Sequence, residues 1–185
     1  AVARVAASPV TWLSATATLA ALYGLYHIQY QRQLHRHRVA GRPDLGGVFA
    51  LRDVDGKLVT SADLTSKWTL LYFGFTKCPD ICPQEMEKIS NVLTRLDSRG
   101  MEIQPVFITI DPARDDAARL RSYFKNEDFH PRFLPLTGTF DAVRKACRAY
   151  RVYFTKPTKE EIARGDYLID HSIISYLLDP DGHFV

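Results

Sequence analysis

Cys78 and Cys82, separated by three residues in FGFTKCPDICPQEM (73–86), stand where an apolar run gives way to a helical pattern. Residues i and i+4 on one helix share a face, with Cβ atoms roughly 5–6 Å apart. A helix N-terminus favours negative charge, which predicts a depressed pKa for at least one of the two thiols. Pro79 and Pro83 fix the local backbone, and proline is accommodated in a first helical turn. Two chemistries are open to such a pair. It can close a disulfide, at the upper part of the ~4.4–6.8 Å Cα range. Reduced, it is a soft clamp that selects Cu(I) or contributes to a Zn site. Spacing alone does not choose between them.

A third ligand would discriminate, and six histidines are available. His27, His35 and His37 belong to the N-terminal segment. The His35/His37 pair, at i,i+2, does not share a helix face and reads as solvated. His130 precedes Pro131 in a loop, and His183 follows the last turn. His171, in DYLIDHSIISYLLD, sits just before an apolar strand. In a fold that brings the loop entering this strand beside the cysteine-bearing helix, a neutral imidazole completes an S₂N trigonal site suited to Cu(I). Zn would want a fourth ligand or water. A lone histidine is more often a hydrogen-bonded structural residue, and position narrows those odds without reversing them. Asp170 points to the opposite face if its segment is extended.

The elements that must position these residues follow from pattern. FALRDVDGKLVT (49–60) reads as a hairpin around Asp55-Gly56, with a short turn from Ser61. WTLLYFGF (68–75) and IQPVFITI (103–110) are continuous apolar runs, the mark of strands buried on both faces. After Pro83 a helical stripe runs through Met86, Ile89, Val92, Leu93 and Leu96, closed by Gly100. Residues 113–126 carry Leu120, Tyr123 and Phe124 on one helical face, and ARDDAARLR reads as that helix's start. RFLPLTG is a short strand and turn. Thr139 caps a helix through Tyr150 with Val143, Ala146, Cys147 and Tyr150 inward, so Cys147 reads as a small core hydrophobe. RVYF (151–154) reads as a strand, TKPTKEEIARGD (155–166) as a polar excursion of hairpin or loop character, and SIISYLLD, PDG and HFV as a final hairpin. Strands alternating with helices predict an α/β sandwich. A cysteine pair at a strand-to-helix junction with a later closing hairpin is the thioredoxin plan, which would place a terminal helix after Val185. No internal repeat or low-complexity tract is present.

Ahead of this domain lies a different segment. From Val5 to Ile28 no Asp, Glu, Lys or Arg interrupts 24 residues, and a bilayer crossing needs roughly 20. Trp12 near one end and Tyr23, Tyr26 and Tyr30 near the other suit interfacial aromatics. Residues 1–30 are therefore expected to be a transmembrane anchor and 31–45 a basic juxtamembrane stalk, with 46–185 the folded domain. Residues 1–46 carry +4 of the chain's net +3, leaving −1 for the rest. The basic balance reports a short arm rather than a binding face, so no nucleic-acid partner is expected. The positive-inside rule would put the stalk on a cytosol-like or matrix-like side. Three cysteines are too few for a disulfide scaffold.

YFGFTKCPDICPQEM, VFITIDPARD, DYLIDHSIISYLLDPDG and, before them, GGVFALRDVDGKLVTSADL resemble the SCO family from about Gly46 to Val185. These are membrane-anchored copper chaperones for cytochrome c oxidase assembly. The resemblance implies a thioredoxin-like fold binding one Cu(I) per chain through Cys78, Cys82 and His171. It also implies an anchor in the inner mitochondrial membrane, or in a bacterial plasma membrane, with the domain in the intermembrane space or periplasm. That orientation opposes the charge rule and is preferred here. The implied partners are an upstream copper carrier and the Cu_A-bearing oxidase subunit. Two other functions use the same residues. One is a thiol-disulfide reductase in which Cys78 and Cys82 are the redox pair and His171 is not required. The other is a structural subunit held in a respiratory complex with a vestigial site; the intact ligand set argues against vestigial chemistry but not against stable association. A peroxidase is less suited, because the Thr-x-x-Cys approach with a partner arginine is missing.

Overall fold

Two apolar runs make the centre of the sheet in a computed structural model that describes residues 9–39, 45–127 and 129–185. Strands β3 (Trp68–Gly74) and β4 (Ile103–Thr109) pair in parallel, with Leu71 opposite Val106 and Phe73 opposite Ile108. Consecutive residues Leu71, Tyr72 and Phe73, and likewise Val106, Phe107 and Ile108, are buried. Both sheet faces are therefore covered, as an unbroken apolar run requires. Strand β5 (Leu134–Thr137) adds in parallel to β4. The expected hairpin forms from β1 (Ala50–Asp53) and β2 (Leu58–Thr60), and β1 joins β5 antiparallel. Gly56, at φ 81°, supplies the left-handed turn residue, and Asp53 Oδ1 accepts from the Asp55 and Lys57 N–H groups at 2.9 Å each. Strand β6 (Ser175–Leu178) closes the other edge against β3, giving the order β2-β1-β5-β4-β3-β6. Because β6 runs antiparallel, Ser175 at its start pairs with Tyr72 near the end of β3. The entry to β6 thus lies beside the exit from β3, which is the thioredoxin plan.

Helix α2 (Ile81–Asp97) buries Cys82, Met86, Ile89 and Leu93; Val92, expected on that stripe, is exposed. Helix α3 (Ala117–Asn126) starts later than expected, capped by Asp116, which accepts from Arg119 N. Helix α4 (Phe140–Ala149) is capped by Thr139 and buries Val143, Ala146 and Cys147 as expected. Burial pushes the Cys147 thiol up to about 12.

Two expectations need correction, and a third finds no support among the described residues. RVYF is not a strand. Arg151 takes φ 52°, and Val152 N–H returns to Cys147 O at 2.8 Å while Arg151 N–H returns to Arg148 O. These paired bonds end α4 in a Schellman motif, so the residues that would extend are used to cap a helix. Only Phe154 bridges, to His171. Second, residues 155–166 hold a short helix, α5 (Lys159–Arg164), with a Thr158/Glu161 capping box and Gly165 at φ 74° after it. Both signals were in the sequence.

The third concerns the anchor. Residues up to Arg42 form a separate unit whose described part is one helix, α1 (Pro9–Val39). It runs on through residues 31–39 of the segment expected to be a stalk. Among the described residues no helix is long and apolar enough to cross a membrane. Ser14, Thr16, Thr18, Gly24, His27 and Gln29 dilute its apolar character. Residues 5–8 of the expected span, with Arg4 and Arg42, lie outside the described residues.

Candidate metal centre

The centre is built where the chain leaves β3. A Cβ on Gly74 would lie 2.8 Å from Tyr72 Cε1 and 2.9 Å from Cys82 Sγ. Only glycine lets the first turn of α2 rest this close to the strand. The loop after it is pinned by Asp115, whose carboxylate accepts from Thr76 N at 2.9 Å and Thr76 Oγ1 at 2.6 Å. Cys78 N–H donates to Phe75 O at 3.2 Å.

Cys78 precedes the first helical residue, Ile81, so the two cysteines do not share a helix face as the spacing suggested. Loop and helix converge instead. Asp80, the N-cap, makes no capping bond, and the Cys82 N–H donates to Cys78 Sγ at 3.4 Å. The sulfur occupies the place a capping oxygen would take. Cys82 is wholly buried, with Tyr72 Oη donating to its sulfur at 3.7 Å. Burial pushes its thiol up to about 12, with a backbone hydrogen bond from Phe75 pulling the other way. At Cys82 the depressed pKa expected of a helix N-terminus is therefore reversed, because loss of solvent outweighs the hydrogen bonds from Phe75 and Tyr72.

His171 lies across from this pair, with Nε2 3.6 Å from Cys82 Sγ. Its Nδ1 is 2.9 Å from Ser172 O. A carbonyl only accepts, so Nδ1 carries a proton, and in the neutral ring Nε2 faces the thiols with a free lone pair. The backbone here is held by Ser172 N–H to Tyr153 O and Thr155 N–H to Asp170 O, both 2.9 Å. The ring stands edge-on to Phe75 at 5.7 Å. Tyr167 and Ile169 are buried and Asp170 exposed, the alternation that turns Asp170 away. The donor atoms of Cys78, Cys82 and His171 lie within 4.8 Å of one another, with Cys78 and His171 half-buried. Two sulfurs and one imidazole nitrogen match a soft ion of low coordination number.

The other described histidines are elsewhere. His130 Nε2 is 3.1 Å from Asp97, His183 Nδ1 is 3.7 Å from Asp179 in the exposed last turn, and His27 packs against Tyr23. The side chains of His35 and His37 lie outside the described residues. No individual signal in the sequence marks Tyr72, Gly74, Asp115, Arg114 or Tyr167, although the first two stand in the central apolar run and Asp115 and Arg114 in ARDDAARLR.

The SCO1/SenC family model matches residues 37–185. Protein SCO1, mitochondrial, of Saccharomyces cerevisiae is 48% identical over 159 residues, covering 85% of this chain and 53% of its own length. The SCO1 homolog, mitochondrial, of Homo sapiens is 41% identical over 187 residues, covering 96% of this chain and 61% of its own. The chain thus spans little more than half the length of these curated relatives. The crystal structure of yeast Sco1 with copper bound aligns at a TM-score of 0.73 and 51% identity, over 77% of this chain and 78% of that one. With the matched span, the identities and the fold in agreement, this chain belongs to the SCO1/SenC family.

Proposed function

We propose that this chain is a copper metallochaperone that holds one Cu(I) between Cys78, Cys82 and His171 and delivers it to the Cu_A site of cytochrome c oxidase during assembly. One observation carries this: two sulfurs and an unprotonated Nε2 converge within 4.8 Å in a partly open site. Family membership and a relative crystallised with copper support it. Copper enters as cargo. A three-coordinate soft site suits transfer, because an incoming thiolate adds before another leaves. The half-buried Cys78 is the leg that exchanges first, while the buried Cys82 and the half-buried His171 hold the ion. The donor is an upstream copper carrier and the acceptor the Cu_A-bearing oxidase subunit. The place of work is the mitochondrial inner membrane, with the domain in the intermembrane space; the relatives' names support the mitochondrion.

An anaerobic Cu(I) titration of the reduced chain against a competing chelator tests this, with Cys78→Ser, Cys82→Ser and His171→Ala beside the parent. One ion per chain is expected, weakened about tenfold or more by each substitution. Parental affinity in His171→Ala would remove the S₂N site.

A second reading, thiol-disulfide reductase, is favoured by the adjacency of two free thiols, one half-exposed. Cys78 thiolate would attack a disulfide of the oxidase copper site, and Cys82 would release it by closing the Cys78–Cys82 bond. The pair loses two electrons and the partner gains them. That activity would survive His171→Ala.

A further inference from the structure

We infer that Arg114 is the positioning residue that fixes His171 relative to the two thiols. This rests on the copper reading above. The backbone of His171 lies outside the regular sheet and makes one isolated bridge, to Phe154. The bonds to Tyr153 and Thr155 hold its neighbours, and the segment that leads into it is anchored further back, at the buried Tyr167.

Arg114 seizes that point. Its guanidinium carbon lies 3.5 Å from the centroid of the Tyr167 ring, and Nη1 donates to Tyr167 O at 2.8 Å. Nε donates to Asp111 Oδ2 at 2.5 Å, and Asp111 Oδ1 accepts from Tyr167 Oη at 2.7 Å. Each of the three residues therefore binds the other two. The pair is buried, with Arg114 12% and Asp111 1% exposed.

The same guanidinium reaches the other arm of the site. It lies 5.8 Å from the Phe75 ring centroid. Phe75 stands edge-on to His171, and its carbonyl holds the Cys78 N–H. Arg114 Nη2 is buried and has no hydrogen-bond partner among the described residues, so ring contacts rather than a third bond occupy that side. A planar, delocalised cation can stack and fork at once, and a lysine ammonium cannot.

The test is a Cu(I) competition titration with X-ray absorption on the full chain, for Arg114→Lys and Tyr167→Phe, each alone and combined with His171→Ala. Arg114→Lys is expected to weaken binding about tenfold, the scale of an outer-shell ligand support, and to lose the nitrogen contribution to the copper spectrum. In the His171→Ala background it should add nothing. Equal losses in both backgrounds would make Arg114 a general structural residue and overturn the inference, as would parental affinity and spectrum in Arg114→Lys. Tyr167→Phe keeps the ring and removes one hydrogen bond, so a smaller loss confined to the His171 background is expected. If Arg114→Lys does not fold, Tyr167→Phe decides by the same two criteria. If His171→Ala itself matches the parent, the copper reading fails and this inference with it.

Discussion

At Cys82 the burial that holds the ion also governs its uptake. With the thiol pushed up to about 12, the sulfur keeps its proton throughout the neutral range, with His171 Nε2 3.6 Å away. A soft ion binds the thiolate, so seating it displaces that proton, and affinity rises with pH as long as pH stays below the thiol's pKa. For this one proton the gain is about tenfold per pH unit. The parent is therefore expected to bind Cu(I) progressively tighter on raising pH across the neutral range, and Cys82→Ser to lose one proton's share of that slope. Titrations at stepped pH with a pH-corrected chelator measure it, and equal slopes in the two proteins would rule out a Cys82 thiolate ligand. Tyr72 Oη, donating to the same sulfur, favours the ion-bound form as well.

Between elements, Asp115 does what no single strand does. It sits between β4 and α3 and draws together the loop after β3 through Thr76, the end of β4 through Thr109 Oγ1 at 2.7 Å, and the end of β5, where Thr137 Oγ1 donates to its carbonyl at 2.8 Å. Arg119 Nε reaches the same Thr76 hydroxyl at 3.0 Å. Burial raises the Asp115 carboxyl above its ordinary 3.8, and the hydrogen bonds from Thr76 and Thr109 oppose that only in part. A raised folded-state pKa means the folded form binds the proton more tightly. The resulting stability is full below pH 3.8 and is lost as pH rises through the folded value. Asp115→Asn keeps an acceptor oxygen and removes the ionisation. The parent's stability relative to this variant should therefore fall as pH climbs above 3.8 and then level. Urea midpoints across that range measure it, and a difference that does not vary with pH would show that Asp115 ionises as freely as in the unfolded chain.

For the whole molecule, the proposed inner-membrane placement depends on the N-terminal unit. Helix α1 exposes Leu19, Leu22, Leu25 and Ile28, and the sequence sets Arg32, Arg36 and Arg38 after them. Apolar area removed from water gains about 25 cal/mol per Å², and each basic residue at an anionic surface about 1 kcal/mol. The full chain, expressed in a mitochondrion, is expected in the membrane fraction after a high-salt wash. Its domain should become protease-sensitive once the outer membrane is opened. Recovery in the soluble fraction, or protection until the inner membrane is breached, would overturn the placement.

Much of the domain was legible in local pattern. Apolar runs marked β3 and β4, the Asp55-Gly56 turn marked the first hairpin, and the Cys78/Cys82 spacing marked the junction where chemistry would sit. Such features arise from sterics and solvent exposure over a few residues, which sequence carries directly. RVYF departs from its strand pattern for a physical reason: Arg151 in a left-handed cap is set by the end of α4, and arginine does not announce it as glycine would. What tertiary structure decided was the meeting of distant parts. Cys82 and His171 stand 89 positions apart and touch because β6 pairs antiparallel with β3, bringing its entry beside the other's exit. The burial that lifts the Cys82 thiol, the proton on His171 Nδ1 and the clasp of Arg114 on Tyr167 exist only after that pairing, since desolvation and hydrogen-bond geometry belong to the packed chain and not to any stretch of it.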